Sequence, residues 1–287
     1  MTPILGPGAP PVVLPREAIE LAQTALKASF RACDEAGAVL KKHYGRLKSV
    51  DEKFQAGLVS EADRESEDTI KRLIHGQFPD HQILGEETGL SADSGGTWKA
   101  LWMIDPLDGT TNYVHRVPFF CISMGLEIEI HGRRELLVGV VDAPLMNWRY
   151  HAARGQGAFL NSSPIEASRR TEFREGLFAT GFSNSDNTLD QQMELLLEVI
   201  RKARGIRRLG AAALDLCMVA EGVFDGFWER NLQPWDTAAG VLIAREAGAV
   251  ATDFSGRPFV PTYKSVLCAP PAQHEHVLQH MKRVSRR

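Results

Sequence analysis

Cysteine is scarce: four residues in 287, at positions 33, 121, 217 and 268, with no Cys-x-x-Cys pair. That spacing excludes a disulfide framework and a cysteine zinc site. It reads as small buried hydrophobes in a reducing compartment. Long apolar runs are missing too, and none approaches the ~20 residues of a membrane-spanning helix. The start of the chain, Met1 to Pro11, has neither a basic n-region nor a continuous apolar core, which argues against a signal peptide. Its prolines and glycines read as a flexible arm over 1–14, and the chain as cytoplasmic. Net charge is only -3, so there is no general reason to expect nucleic acid as a partner. The sequence lacks a Gly-x-Ser-x-Gly elbow, a P-loop and a His-Glu-x-x-His pair. Gly155-Gln156-Gly157 lacks the third glycine of a dinucleotide fingerprint and reads as a hairpin turn.

What is present centres on residues 101–115. An apolar run, Leu101 to Ile104, ends in two carboxylates, Asp105 and Asp108, on either side of Pro106. Gly109, Thr110 and Thr111 follow at once. A strand ending this way puts two acids and several backbone N–H groups in one turn. Mg²⁺ takes oxygen ligands and shares them with phosphate, and N–H groups at a turn or helix start suit that phosphate. The plain alternative is a tight turn, since Asp-Pro and Asp-Gly are ordinary turn signals. A helix–loop–helix calcium site is excluded, because the twelfth position from Asp105 holds Arg116 rather than Glu.

Periodicity predicts helices over 15–44 and 60–77, then a short strand over 81–85 and the central strand. A connecting segment with Val50 and Phe54 lies between the two helices, and a loop over 93–96 precedes the central strand. Further strands are predicted over 119–130, 135–141, 148–153 and 177–180, with a hairpin over 157–165. The second half mixes helices (188–203, 211–221, 237–247) with strands (223–229, 250–253, 266–269), and a terminal helix begins near Pro271. Consecutive strands joined by short turns imply substantial antiparallel sheet rather than a doubly wound parallel fold. The length fits one domain over 15–287, with two closely joined lobes dividing near 150–185.

Other acids fall at element ends. Asp63 sits in Ser60-Glu61-Ala62-Asp63, which also fits a capping box. Glu86 and Glu87 follow Gly85, where two adjacent acids are ordinarily solvated. Asp236 opens a helix after Pro234-Trp235, and capping is again its plain reading. If the fold gathers Asp63, Glu86, Asp105, Asp108 and Asp236, their repulsion calls for cations. Two cations ~4 Å apart would hold an activated water and a leaving oxygen in line.

These pieces occur in an order that resembles the inositol monophosphatase family, over roughly residues 20–275. They are Leu58-Val59-Ser60-Glu61-Ala62-Asp63, Gly85-Glu86-Glu87, Trp102-Met103-Ile104-Asp105-Pro106-Leu107-Asp108-Gly109-Thr110-Thr111 and Pro234-Trp235-Asp236-Thr237-Ala238-Ala239-Gly240. The resemblance implies a layered αβαβα sandwich with largely antiparallel or mixed sheets, commonly dimeric. The activity it implies is Mg²⁺-dependent, Li⁺-sensitive hydrolysis of a phosphate monoester. Glu86, Asp105 and the carbonyl of Leu107 would bind a first metal, and Asp105, Asp108 and Asp236 a second. A third would rest on Glu86 through waters. Asp63 and Thr110 would orient and deprotonate the attacking water, the N–H groups of Gly109 and Thr110 would hold phosphate, and Glu229 would meet inositol hydroxyls.

Two segments depart from the family pattern. Gly57 stands where many relatives carry Asp, and Ser60 replaces Thr. Gly210-Ala211-Ala212, on the substrate side, lacks the hydroxyl that relatives carry there. Thr111-Asn112-Tyr113-Val114-His115 resembles the inositol phosphatase branch. The alternatives on this fold are histidinol phosphate, fructose-1,6-bisphosphate and 3′-phosphoadenosine-5′-phosphate. A different class of role is a non-catalytic one, through RNA or transcription partners. The basic run Arg201 to Arg208 reads as a solvated helix end or dimer contact, with a second substrate anion as the sharper alternative. His274 and His276 read as surface histidines.

Overall fold

The computed structural model describes residues 14–53, 57–92, 99–130, 132–182 and 189–284. Alanine dictates how the first helix packs. Helix α1 (Arg16–His43) buries Ala18, Ala22, Ala25, Ala32 and Ala36 along one stripe, so it lies close to its neighbours. Gly45, with φ of 71°, follows its C-terminus. A two-stranded hairpin follows, β1 (Val50–Lys53) and β2 (Gly57–Ser60), where the sequence predicted only a connection; Phe54 falls outside the described residues. Helix α2 (Glu61–Gln77) packs beside α1.

The first sheet has eight strands. They are β3 (Gln82–Gly85), β4 (Gly89–Leu90), β5 (Ala100–Asp108), β6 (Cys121–Ile130), β7 (Arg133–Ala143), β8 (Trp148–Ala153), β9 (Ala158–Leu160) and β10 (Ser163–Ile165). Their order is β10-β9-β8-β7-β6-β5-β3-β4, and every pair is antiparallel except β3 with β5. A five-residue helix α3 (Thr110–Val114) follows β5. The predicted loop over 93–96 lies outside the described residues. Gly155 and Gly157 turn the chain between β8 and β9 with φ of 75° and 80°, as the hairpin reading requires.

Alternation sorts the strands' side chains onto two buried faces. Trp102, Ile104, Ile122, Met124 and Leu126 face α1 and α2. Met103, Cys121, Val141 and Tyr150 face helices α5 (Ala212–Ala220) and α6 (Pro234–Glu246). Both helices are apolar on nearly every side, as a middle layer must be. The five-stranded second sheet runs β12-β11-β13-β15-β14. Its strands are β11 (Leu177–Thr180), β12 (Gly205–Arg207), β13 (Gly226–Arg230), β14 (Val250–Thr252) and β15 (Ser265–Ala269). Two of its pairings are parallel and two antiparallel. Helices α4 (Leu189–Ile200) and α7 (Pro271–Val284) close its outer face through Leu195, Val199, Val277 and Met281. The layers therefore run α–β–α–β–α. The four cysteines are buried and free. No described helix is long and apolar enough to cross a membrane.

Three expectations change. The basic run is not one helix end: Gly205–Arg207 forms edge strand β12, parallel to β11, and Arg201, Lys202, Arg204, Arg207 and Arg208 are exposed. Helix α6 starts at Pro234 rather than 237, with proline in the first turn. His274 is not a surface residue. It is 8% exposed, and its Nε2 lies 2.9 Å from Thr252 Oγ1.

Burial pushes the His274 pKa down to about 4. The unfolded chain, with an ordinary imidazole near 6.5, therefore binds more protons between those values. Stability from neutral His274 is complete above the unfolded pKa and is lost as pH falls toward 4. The loss amounts to about 3 kcal/mol at most. His274→Gln should flatten the fall in unfolding free energy between pH 7 and 5, read by urea titration. A slope identical to wild type would refute this.

Candidate active site

The geometry of the central turn starts from an irregularity in β5. Asp105 pairs with Ser123 and Asp108 with Cys121 on β6, so three steps on one strand oppose two on the other. Without the extra residue, positions 105 and 108 would face opposite sides of the sheet. The bulge, which also accommodates Pro106, turns both acids to the face occupied by α5 and α6.

Asp105 is 2% exposed, and its Oδ1 accepts the Leu107 N–H at 2.9 Å. Burial raises its pKa well above the carboxylate range, and the neighbouring charges of Glu86, Asp108 and Asp236 raise it further. Asp108 Oδ2 accepts the Ala213 N–H at 2.7 Å, at the positive end of α5, and Cys121 Sγ lies 3.7 Å from it. Burial still pushes its pKa up to about 7, against the N–H groups of Ala213 and Ala212. Asp236 Oδ2 caps α6 through the Gln233 N–H at 2.7 Å. Its pKa is raised by burial and by the charges of Asp108, Glu86 and Glu229. Glu86 leaves β3 with its N–H on the Ile104 carbonyl at 3.1 Å, beside Asp105.

Asp63 performs the capping role and more. The N–H and hydroxyl of Ser60 donate to its Oδ2 at 2.8 and 2.6 Å. Its Oδ1 faces the hydroxyl of Thr110 at 3.1 Å. Burial raises its pKa, with the Ser60 bonds opposing. Thr110 Oγ1 also lies 3.0 Å from the Leu107 carbonyl. With one proton, it donates to Leu107 or to Asp63 at any moment, not to both.

Gly109, at φ of 92°, starts α3 in a conformation that side chains rarely adopt. A Cβ there would fall 3.3 Å from Ala211 Cβ, so the 210–212 segment borders the Gly109 end of the turn. Ala212 is buried and its N–H serves Asp108. Glu229, on β13, lies against Gly181, which leaves room for it: a Cβ there would fall 2.1 Å from the carboxyl carbon. Burial pushes the Glu229 pKa up to about 7 against the charge of Arg208.

Glu86, Asp105, Asp108 and Asp236 thus come together, with Asp63 and Thr110 adjoining and Glu229 on the Asp108 side. Among the described residues, no three His, Cys, Asp or Glu side chains are already closed around one point that could hold a metal ion. The donor chemistry nonetheless fits Mg²⁺: hard oxygens, buried, mutually repelling, with Asp105, Asp108 and Asp236 each committing one oxygen to a backbone N–H.

Sequence reading missed four contributors. Ser66 donates to the Pro106 carbonyl at 3.0 Å, and Ser123 to the Trp235 carbonyl at 3.0 Å, tying α6 to β6. Asp215, on α5, is buried, with no hydrogen-bond partner for its Oδ1 among the described residues. Glu67, fully buried, binds the residues after Glu86. The only available signal for Ser66 and Glu67 was their position three and four residues after Asp63, on the same helix face.

Similarity to known proteins agrees with this architecture. Residues 21–286 match the model of the inositol monophosphatase family. The Nus factor SuhB of Pseudomonas aeruginosa is 41% identical, over 82% of this chain and 87% of that protein. A fructose-1,6-bisphosphatase/inositol-1-monophosphatase of Aquifex aeolicus is 38% identical, over 86% of this chain and 91% of its own. Among solved structures, the extragenic suppressor protein suhB from Bartonella henselae superposes with a TM-score of 0.85 at 34% identity. That match covers 90% of this chain and 98% of the other. The fold, the order of its motifs and a family match over nearly the whole chain lead to one assignment: this protein belongs to the inositol monophosphatase family.

Proposed function

We propose that the chain hydrolyses phosphate monoesters with Mg²⁺, and that its substrate is myo-inositol monophosphate. The observation that carries this reading is the convergence of Glu86, Asp105, Asp108 and Asp236, three of them with pKa values raised by burial and by one another. Two or three Mg²⁺ ions held by these carboxylates and the Leu107 carbonyl would supply positive charge for phosphate oxygens and acidify an attacking water. Asp63 and Thr110 orient that water for in-line attack, and Asp63 takes its proton. A raised pKa makes Asp63 a better base than an ordinary carboxylate. The N–H groups of Gly109 and Thr110 hold phosphate oxygens. Glu229, with room left for its carboxylate by Gly181, orients the hydroxyls of the alcohol. The same reading makes the protein a cytoplasmic, Li⁺-sensitive homodimer.

The test is a panel of phosphomonoesters with and without Mg²⁺. Inositol monophosphates should exceed histidinol phosphate, fructose-1,6-bisphosphate and 3′-phosphoadenosine-5′-phosphate in kcat/KM by about tenfold or more, since a site built on hydroxyl contacts discriminates strongly. A higher value for any of the three would reassign the substrate.

A second reading is favoured by two relatives, a Nus factor SuhB and a putative Nus factor SuhB, at 41 and 42% identity. On that reading the fold also binds transcription partners. A pull-down of transcription components that succeeds equally with a metal-site variant would support it.

A further inference from the structure

Helix α2 presents three polar residues on one face, Asp63, Ser66 and Glu67, each fully buried. One turn further on, the same face becomes apolar at Ile70 and Ile74. A helix that needed only to pack would not bury a carboxylate there, because such burial is unfavourable unless both oxygens are paired. Those of Glu67 are paired. Oε2 accepts the Glu87 N–H at 2.8 Å, and Oε1 accepts the Thr88 hydroxyl. Lys71 Nζ in turn donates to Thr88 Oγ1 at 2.8 Å. Gly85 makes the room: a Cβ there would fall 2.6 Å from Glu67 Oε1 and 2.8 Å from Oε2.

We propose that Glu67 is a positioning residue that sets Glu86 for metal binding. Glu86 is clamped from both sides, by its own N–H on Ile104 and by the Glu67 carboxylate on the two residues that follow. Ser66 fixes the Pro106 carbonyl from the same helix face, and Asp63 reaches Thr110. One helix face therefore holds three chain segments at mutual register: the 86–88 loop, the 105–108 bulge and the start of α3. The inference rests on the reading of Glu86 as a Mg²⁺ ligand. Groups that orient metal ligands without touching the metal typically carry 10–100-fold in affinity.

The test is calorimetric titration of Mg²⁺ into the full chain stripped by chelator, for wild type, Glu67→Gln and Asp105→Asn. The amide keeps the volume of Glu67 but places an NH₂ against one of its two donors. Glu67→Gln should weaken Mg²⁺ binding by about tenfold, while saturating Mg²⁺ restores kcat to within about twofold. A merely structural glutamate would lower thermal stability and leave the Mg²⁺ affinity alone. Wild-type affinity in Glu67→Gln overturns the proposal. If that variant fails to fold, the exposed Thr88→Val decides by the same criterion. Asp105→Asn separates the two claims: should it bind Mg²⁺ as wild type does, the metal reading itself falls.

Discussion

Asp105→Asn should reduce Mg²⁺-dependent phosphatase activity by about three orders of magnitude while making the chain in chelator more heat-stable. Charge stabilisation by bound metal is worth several kcal/mol of transition-state energy, and each 1.36 kcal/mol is a decade in rate. Asp105 lies at the centre of the acid group, where Glu86, Asp108 and Asp236 all raise its pKa. The amide keeps the acceptor that Leu107 uses and removes the repelling charge.

The stability gain has a pH signature. A buried acid with a raised pKa binds its proton more tightly in the folded chain than in the unfolded one. Its contribution is complete below the unfolded carboxylate range near 4 and is lost as pH rises through the folded value. The advantage of Asn should therefore be absent near pH 4 and largest at neutral pH and above. There the Tm of the variant should exceed that of wild type. Scanning calorimetry in EDTA at pH 4 and 8, with phosphate release measured in Mg²⁺, checks both halves. Retained turnover would remove Asp105 from the mechanism, and a lower Tm at pH 8 would mean that its charge is compensated by groups other than those named.

The candidate site was legible where its chemistry is contiguous. Asp105, Pro106, Asp108, Gly109 and Thr110 lie within six residues, so composition alone exposes the turn. What the residue types do not reveal is the bulge that brings Asp105 and Asp108 to one face, because it appears only in pairing with Ser123 and Cys121. Asp63 and Asp236 were readable as helix caps, and both do cap. The second contact of Asp63, with Thr110, depends on a neighbour 47 residues away.

Glu67 reads as an ordinary surface acid of a helix until Gly85, on another element, leaves space for its carboxylate. Long periodic elements were predicted to within a few residues. Short ones were not: α3 has five residues and β12 three, too few for periodicity, and β12 depends on pairing with β11. His274 was misplaced because one polar residue on an amphipathic helix gives no sign that Thr252 lies opposite.

The second large effect lies in the sheet, outside the acid cluster. Gly125 on β6 and Gly139 on β7 are paired neighbours, and together they form the slot on which α6 rests. A Cβ on Gly139 would fall 2.7 Å from the Ala239 carbonyl oxygen and 3.0 Å from its Cα. Both are backbone atoms, so no side-chain rotation relieves the contact, and α6 must retreat. It cannot do so freely, since Gly240 is packed 2.7 Å, in the same sense, from Leu216 Cβ on α5.

Overpacking of this kind costs about 3 kcal/mol, so Gly139→Ala should lower Tm by about 5–6 °C. Gly76→Ala on α2, with nothing near its Cβ, is the control and should be neutral or mildly stabilising. Because Asp236 sits in the first turn of α6, the same shift should raise the Mg²⁺ concentration needed for half-maximal activity. An unchanged Tm in Gly139→Ala would show that the two layers are not in contact at this slot. A lowered Tm with unchanged Mg²⁺ dependence would show that the start of α6 is held independently, through Ser123 and the Trp235 carbonyl.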